Sequence, residues 1–223
     1  GKQVWFTRLH DTDNGAFLRG DGMLCMAEDG VVTPFLAQKD IKLRGLHNIE
    51  NLLAAAAAVW GEVPVEAIQK VGSTFTGVEH RIEPVRVLDG VTYYNDSIGT
   101  SPTRTIAGLR SFDQKVILIA GGYDKHIPYE PLAPEVIAHV KNLVLMGATG
   151  PRIEKAVCEH PDFAASGLTI QHADTMQHAV ELARAAAQPG DIIILSPASA
   201  SFDLYPNFEV RGHEFKKIVN ELK

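Results

Sequence analysis

Apolar and polar positions change rhythm part-way along the chain. From Gly15 to Leu36 the short apolar runs AFL, MLCMA and VVTPFL are separated by the turns RGDG and EDG, the punctuation of antiparallel hairpins. KQVWFTR, ahead of them, reads as a further strand. The pattern then turns helical. NIENLLAAAAAVWG is a strong helix that stops at Gly61, and Pro64 opens a second helix, PVEAIQKV, at its first turn.

After GSTFTGVEHR, apolar strand runs alternate with amphipathic helices. We therefore expect a boundary near Thr76 to His80, with one domain over 1–78 and another over 79–223. The strands predicted in the second are Val85–Leu88, Val91–Asn95, Lys115–Ala120, Asn142–Met146, Leu168–Gln171 and Asp191–Leu195. Between them fall a helix started by Ser101 and Pro102, then PLAPEVIAHV, TGPRIEKAVCEH and TMQHAVELARAAA. The last segment, NFEVRGHEFKKIVNELK, puts Phe208, Phe215, Ile218, Val219 and Leu222 on one helical face despite Gly212. VILIA and IIIL are continuously apolar, as expected of parallel strands covered on both faces. The fold class is α/β: a Rossmann-like, doubly wound, mostly parallel sheet, preceded by a partial α/β domain with antiparallel hairpins.

Composition narrows the function classes. The 21 basic and 27 acidic residues give a net charge of -6, with no long Lys/Arg run to track nucleic acid. The longest apolar run, LLAAAAAVW, is about half a bilayer span, so we expect no membrane partner and a cytoplasmic protein. Cys25 and Cys158 lack any paired spacing and read as two reduced, mostly buried thiols. The chain opens on Gly rather than Met, directly in a strand-like segment, and reads as part of a longer protein.

In an open parallel sheet, ligands bind beyond the carboxyl ends of the strands. Here those positions carry NDSIGTS, GGYDK, GATG and SPASASFD, all small or polar. Asp96 offers an acceptor, Thr100 and Ser201 hydroxyls, and Lys125 a mobile cation, a set suited to a small anionic ligand bearing a hydroxyl or an amine. Loops are rich in such residues for turn-making alone. Neither G-x-G-x-x-G nor G-x-x-x-x-G-K-[ST] occurs, which disfavours a dinucleotide oxidoreductase. The histidines are scattered, no cysteine pair has zinc spacing, and His10, His139 and His160 read as surface or packing residues. We assign no metal ligand. In LHNIEN, Asn48 and Asn51 lie three apart on a first helical turn; Asn48 is either an N-cap alone or an N-cap that also joins Asn51 in reading a nucleobase edge.

Five segments in this order, LRGLHNIENLLAAAA, TFTGVEHRIE, GVTYYNDSIGTSPTRTIAGL, LIAGGYDK and LSPASASFDLYPNFEVRGHEF, resemble the Mur ligases across nearly the whole chain, and in particular their D-glutamate-adding branch. The resemblance implies the later part of a central ATPase domain followed by the C-terminal domain that brings the incoming amino acid. It implies ATP and Mg2+, with the phosphate-binding loop, most Mg2+ ligands and the UDP-binding domain upstream. It implies activation of the carboxylate of UDP-N-acetylmuramoyl-L-alanine as an acyl phosphate, then attack by the amine of D-glutamate. By motif, Asn48 and Asn51 resemble adenine contacts, and Arg81 and Asp96 groups that meet the nucleotide. Thr100, Lys125, Ser201 and Phe208 match positions that hold D-glutamate. No residue of this chain is assigned a catalytic role, and alone it is expected to be inactive. Ile98 stands where many members have lysine, two residues after the Asp of NDS. The alternatives are a non-catalytic binding module on the same fold, or a ligase of this or the folylpolyglutamate type that takes another amino acid.

Overall fold

The computed structural model describes residues 3–43 and 45–223; Gly1, Lys2 and Arg44, the last inside the LRGLHN motif, lie outside the described residues. The chain forms two compact units, Gly1–Gly77 and Val78–Lys223.

In the first unit, β1 (Trp5–Thr7), β2 (Gly15–Leu18), β3 (Met23–Glu28) and β4 (Val31–Ala37) form one sheet in that order. The expected hairpins are β2–β3 and β3–β4, both antiparallel, whereas β1 pairs parallel to β2. Helices α1 (Leu46–Val59) and α2 (Val65–Thr74) follow. Leu24, Met26, Phe35 and Leu36 of the sheet pack on Ile49, Leu53 and Ala56 of α1, which is why every third or fourth residue of that helix is buried.

The second unit runs β5 (Glu83–Leu88), β6 (Val91–Asn95), α3 (Pro102–Leu109), β7 (Val116–Ala120), α4 (Ala133–His139), β8 (Val140–Met146), α5 (Gly150–Cys158), α6 (Phe163–Ser166), β9 (Thr169–Ala173), α7 (Met176–Ala185), β10 (Ile192–Leu195) and α8 (Phe208–Glu221). Its six strands stand in the order β5-β6-β10-β7-β8-β9. All neighbours are parallel except β5 and β6, a hairpin closed by Asp89 (φ 53) and Gly90 (φ 78), the two positive φ values that suit the twist of paired strands.

Alternate residues of the apolar strands supply two cores. Leu118, Ala120, Leu143 and Leu145 face α3, α4 and α5 through Leu109, Val136, Ile153 and Val157. Ile117, Ile119, Val144 and Ile193 face α7 and α8 through Val180, Ala183, Phe215 and Val219. The continuous apolarity of VILIA follows from this two-sided burial. Cys25 is buried as expected, but Cys158 is exposed: it falls on the polar side of α5, whose Ile153 and Val157 take the core positions. Among the described residues no helix is long and apolar enough to cross a membrane.

The order of strands creates the crevice. The chain passes from β6 to β7 and leaves a gap between them that only β10 fills, so the loops after β6, β7 and β10 converge where the strand order reverses.

Candidate functional site

At the end of β6, the buried Asn95 amide donates to His80 Nδ1 (2.8 Å) and Glu83 Oε2 (3.0 Å), while its carbonyl accepts from the Ser97 N–H (3.1 Å). Burial lowers the His80 pKa, and a neutral ring accepting at Nδ1 carries its proton on Nε2. His80 (φ 65) and Ile82 (φ 44) are both left-handed and flank the half-buried Arg81. For a β-branched residue that conformation costs about 1–3 kcal/mol and persists where surrounding contacts fix it. Here the Ile82 N–H donates to Asp96 Oδ1 (3.3 Å), which brings the Arg81 segment and Asp96 into one corner.

Asp96 is buried at 4% exposure, and burial pushes its pKa up to about 6 against the Ser196 hydroxyl, the Ile82 N–H and the charges of Arg81 and Arg104. Ser196 Oγ donates to Asp96 Oδ2 at 2.6 Å. At neutral pH the group is therefore mainly a carboxylate held by fixed donors. Thr100 follows, half-buried, just before Ser101 and Pro102 start α3; Ser101 takes the N-cap position, and its side chain makes no capping bond.

After β7, Gly121 and Gly122 let neighbouring loops close in. A Cβ on Gly121 would stand 1.9 Å from Met146 O, and one on Gly122 2.2 Å from Ala200 O. Tyr123 N–H donates to Ala200 O (2.9 Å), forming an isolated antiparallel bridge between the loops after β7 and β10. Asp124 Oδ1 accepts from the His126 N–H (2.7 Å) and from Arg152 Nη1 (2.5 Å), and these bonds hold the Asp124 carboxyl below its usual range. The loop is thus pinned on both sides of Lys125, whose own side chain is exposed.

After β10, Ala198 adopts φ 55, and the Ser199 hydroxyl sits between Tyr129 Oη (2.7 Å) and Thr149 Oγ1 (2.8 Å). Thr149 Oγ1 also accepts from the Gly122 N–H (2.9 Å). Ser201 is buried at 2% exposure. Phe208 opens α8, capped by Asn207, whose side chain accepts from Val210 N–H (2.8 Å). The Phe208 ring meets His80 edge to face with centroids 5.9 Å apart, and its carbonyl accepts from Ser97 Oγ (2.7 Å).

Arg81, Asp96, Thr100, Lys125, Ser201 and Phe208 therefore all belong to the loops and helix start at the carboxyl edge of one sheet. Asn48 and Asn51 belong to the first unit, in α1. Asn51 Nδ2 donates to Asn48 Oδ1 (3.2 Å), so one amide orients the other. The N-cap is Gly45 (φ 89), not Asn48, which lies inside the helix, buried at 8% exposure. A capping role is thus removed from Asn48.

Sequence reasoning passed over His80, Ser97 and Arg211. The signal for Arg211 was a charge on the apolar stripe of α8, between Phe208 and Phe215. The signal for His80 was Gly212. A Cβ at Gly212 would lie 2.3 Å from His80 Nδ1, so the helical glycine is what allows α8 to reach that ring. Gly to Ala inside a helix ordinarily stabilises by up to about 1 kcal/mol; Gly212→Ala is expected to reverse the sign and lower the urea midpoint of unfolding.

Among the described residues none of the hydroxyls at this edge is hydrogen-bonded to a histidine, so the arrangement suits binding and orientation rather than a nucleophile with its base. Glu79, His80 and His213 bring possible ligand atoms within 4.8 Å of one another. The Lys216 ammonium already occupies this place, 2.5 Å from Glu79 Oε1 and 3.0 Å from Glu83 Oε1, and His80 Nε2 bears a proton, so the cluster is an ion-pair network.

The chain resembles known proteins along its whole length. It is 51% identical over 217 residues to the UDP-N-acetylmuramoylalanine--D-glutamate ligase of Clostridium novyi, covering 97% of this chain and 46% of that protein. It is 50% identical over 225 residues to the protein of the same name from Acetivibrio thermocellus, covering 100% of this chain and 48% of that one. The chain thus spans about half the length of the curated relatives it matches. The fold resembles that of a pseudomurein peptide ligase type C from Methanothermus fervidus, with TM-score 0.66 at 14% identity over 93% of this chain and 41% of that one. A family model described as Mur ligase, glutamate ligase domain, matches residues 80–199, more than half of the chain and the part that carries Asp96, Thr100 and Lys125; the chain belongs to the Mur ligase family.

Proposed function

We propose that this chain supplies the amino-acid-binding half of an ATP-dependent amide ligase of peptidoglycan synthesis, one that joins D-glutamate to UDP-N-acetylmuramoyl-L-alanine in the cytoplasm. The observation that carries the reading is the gathering of an exposed cation and two hydroxyls, Lys125, Thr100 and Ser201, on loops that fixed hydrogen bonds hold at the sheet edge. In this reading residues 1–78 form the later part of a central nucleotide-binding domain and 79–223 the C-terminal domain.

Lys125 pairs with a glutamate carboxylate, Thr100 and Ser201 donate to carboxylate oxygens, and Phe208 walls the pocket. Asn48 and Asn51 hydrogen-bond the adenine edge, and Arg81 and Asp96 orient the nucleotide. Each unit by itself has donors of a suitable kind: an ordered pair of side-chain amides in α1 of the first, and in the second a buried carboxylate tied by the Ile82 N–H to the segment that carries Arg81. When bound, ATP supplies the phosphoryl group that activates a carboxylate. This chain's residues hold the amine donor in line with that carbonyl and keep it oriented while water is excluded. We assign Mg2+ no ligand here; it prefers oxygen donors, and the Glu79 carboxylate is engaged by Lys216.

Titration of the chain with D-glutamate, L-glutamate and L-lysine, followed by amide chemical shifts, tests the reading. D-glutamate is expected to move the resonances of Thr100, Lys125 and Ser201 at the lowest concentration. Tighter binding of L-lysine would favour a ligase for another amino acid.

A further inference from the structure

We propose that Arg211 is a positioning residue of the amino-acid site, tying the loop after β6 to the loop after β10 and so fixing where Thr100 and Ser201 stand. The inference rests on the reading of that site given above.

Arg211 lies on the first turn of α8 with only 2% exposure. Its Nε donates to Ser97 Oγ (3.0 Å) and its Nη2 to Ser97 O (2.8 Å), both in the loop after β6. Nη1 donates to Ala200 O (3.0 Å), and both Nη1 and Nη2 donate to Ser199 O (3.2 Å each), in the loop after β10. Every one of these acceptors lies within three residues of Thr100 or within two of Ser201. The same Ala200 carbonyl accepts from Tyr123 N–H (2.9 Å), so the guanidinium also backs the loop that carries Lys125.

A packing role alone does not account for this residue. Position 211 sits on the buried stripe of α8, where leucine or methionine would fill the volume without bringing a charge into the interior. Among the described residues none of its hydrogen bonds goes to a carboxylate, and burial lowers its pKa to about 10. A costly group held by five carbonyl and hydroxyl contacts on two loops contributes registration: the planar fork sets the spacing between them, and an ammonium, with three donors on one atom, cannot span the same set.

The test compares wild type, Arg211→Lys and Ser97→Ala in the protein expressed from its complete coding sequence. Arg211→Lys keeps the charge and removes the fork; Ser97→Ala removes only the hydroxyl between Arg211 Nε and Phe208 O, and stands as the deciding variant where the lysine chain does not fold. D-glutamate affinity and amide hydrogen exchange are read together. Arg211→Lys is expected to weaken D-glutamate binding at least about 10-fold and to speed exchange at Thr100 and Ser201 by a similar factor, with Leu118 and Val144 in the sheet unchanged. Ser97→Ala is expected to give a smaller change, about 3-fold, in the same places. Wild-type affinity and exchange in the folded variants, or uniform acceleration across the whole sheet, would overturn the inference. Absence of D-glutamate binding by wild type would defeat the proposed function instead, and the exchange pattern would still decide on Arg211.

Discussion

In the ligase proposed above, Lys125→Ala is expected to raise the KM for D-glutamate about 10- to 100-fold, the range that follows from loss of one charge-assisted contact. Turnover at saturating D-glutamate is expected to fall by less than about 3-fold, because the proposed carboxylate contact, distant from the reacting amine, binds ground state and transition state alike. Stability stays within about 0.5 kcal/mol of wild type, since the side chain is exposed and the loop is held by Asp124 and Arg152 rather than by Lys125. Steady-state kinetics against D-glutamate, with a thermal melt of the same preparation, measure all three. An unchanged KM removes Lys125 from the site.

Asp96 makes the second large prediction, and its sign follows from its burial. The folded-state pKa of about 6 lies above the ordinary 3.8, so between those values the native protein keeps a proton that the unfolded chain has released. The stability contributed by the neutral carboxyl is complete below about pH 4 and is lost as pH rises through 6. At about 1.4 kcal/mol per pKa unit the loss is on the order of 2–3 kcal/mol. Asp96→Asn keeps the shape and can still accept from the Ile82 N–H, but has no charge to bury. The variant is therefore expected to be more stable than wild type at pH 8, about equal at pH 4, and to lose that part of the pH dependence. Urea unfolding of both proteins at pH 4 and pH 8 reads this directly; parallel pH profiles would contradict it. The same change removes the carboxylate proposed to orient the nucleotide, so greater stability is expected to accompany weaker ATP use, as at other sites where function sets a buried charge.

Much of the fold is legible in local pattern. Val91–Asn95 is a strand with the bounds expected, and VILIA and IIIL announce parallel strands because burial on both faces leaves no polar position to alternate with. The insertion of β10 between β6 and β7 leaves no such trace, since pairing between residues a hundred positions apart is a property of the assembled sheet. The parallel pairing of β1 with β2 is hidden for the same reason, and its short apolar run reads equally well as one arm of a hairpin.

The candidate site divides in a similar way. Candidates in the loops that follow strands, such as Asp96, Thr100, Lys125 and Ser201, can be picked out by marking where apolar runs stop. Those that hold these loops in place cannot. Arg211 is one charge on an amphipathic helix, and its meaning depends on which carbonyls the fold delivers to it. Asparagine favours the N-cap, which points to Asn48 as a cap, alone or with a ligand role, but α1 begins at Leu46 with Gly45 (φ 89) as its N-cap, placing Asn48 inside the first turn near Asn51. Gly212 looked like a flaw in a helix, and is the point where α8 meets His80.

The measurement that bears most directly on the proposed function is ligation by the protein expressed from its complete coding sequence. It is supplied with UDP-N-acetylmuramoyl-L-alanine, Mg2+-ATP and one amino acid at a time, with phosphate release and amide product followed together. One phosphate per amide formed, with D-glutamate and not with L-lysine or L-glutamate, is the result expected. Phosphate release and amide formation with another amino acid, or neither with any, would contradict the account.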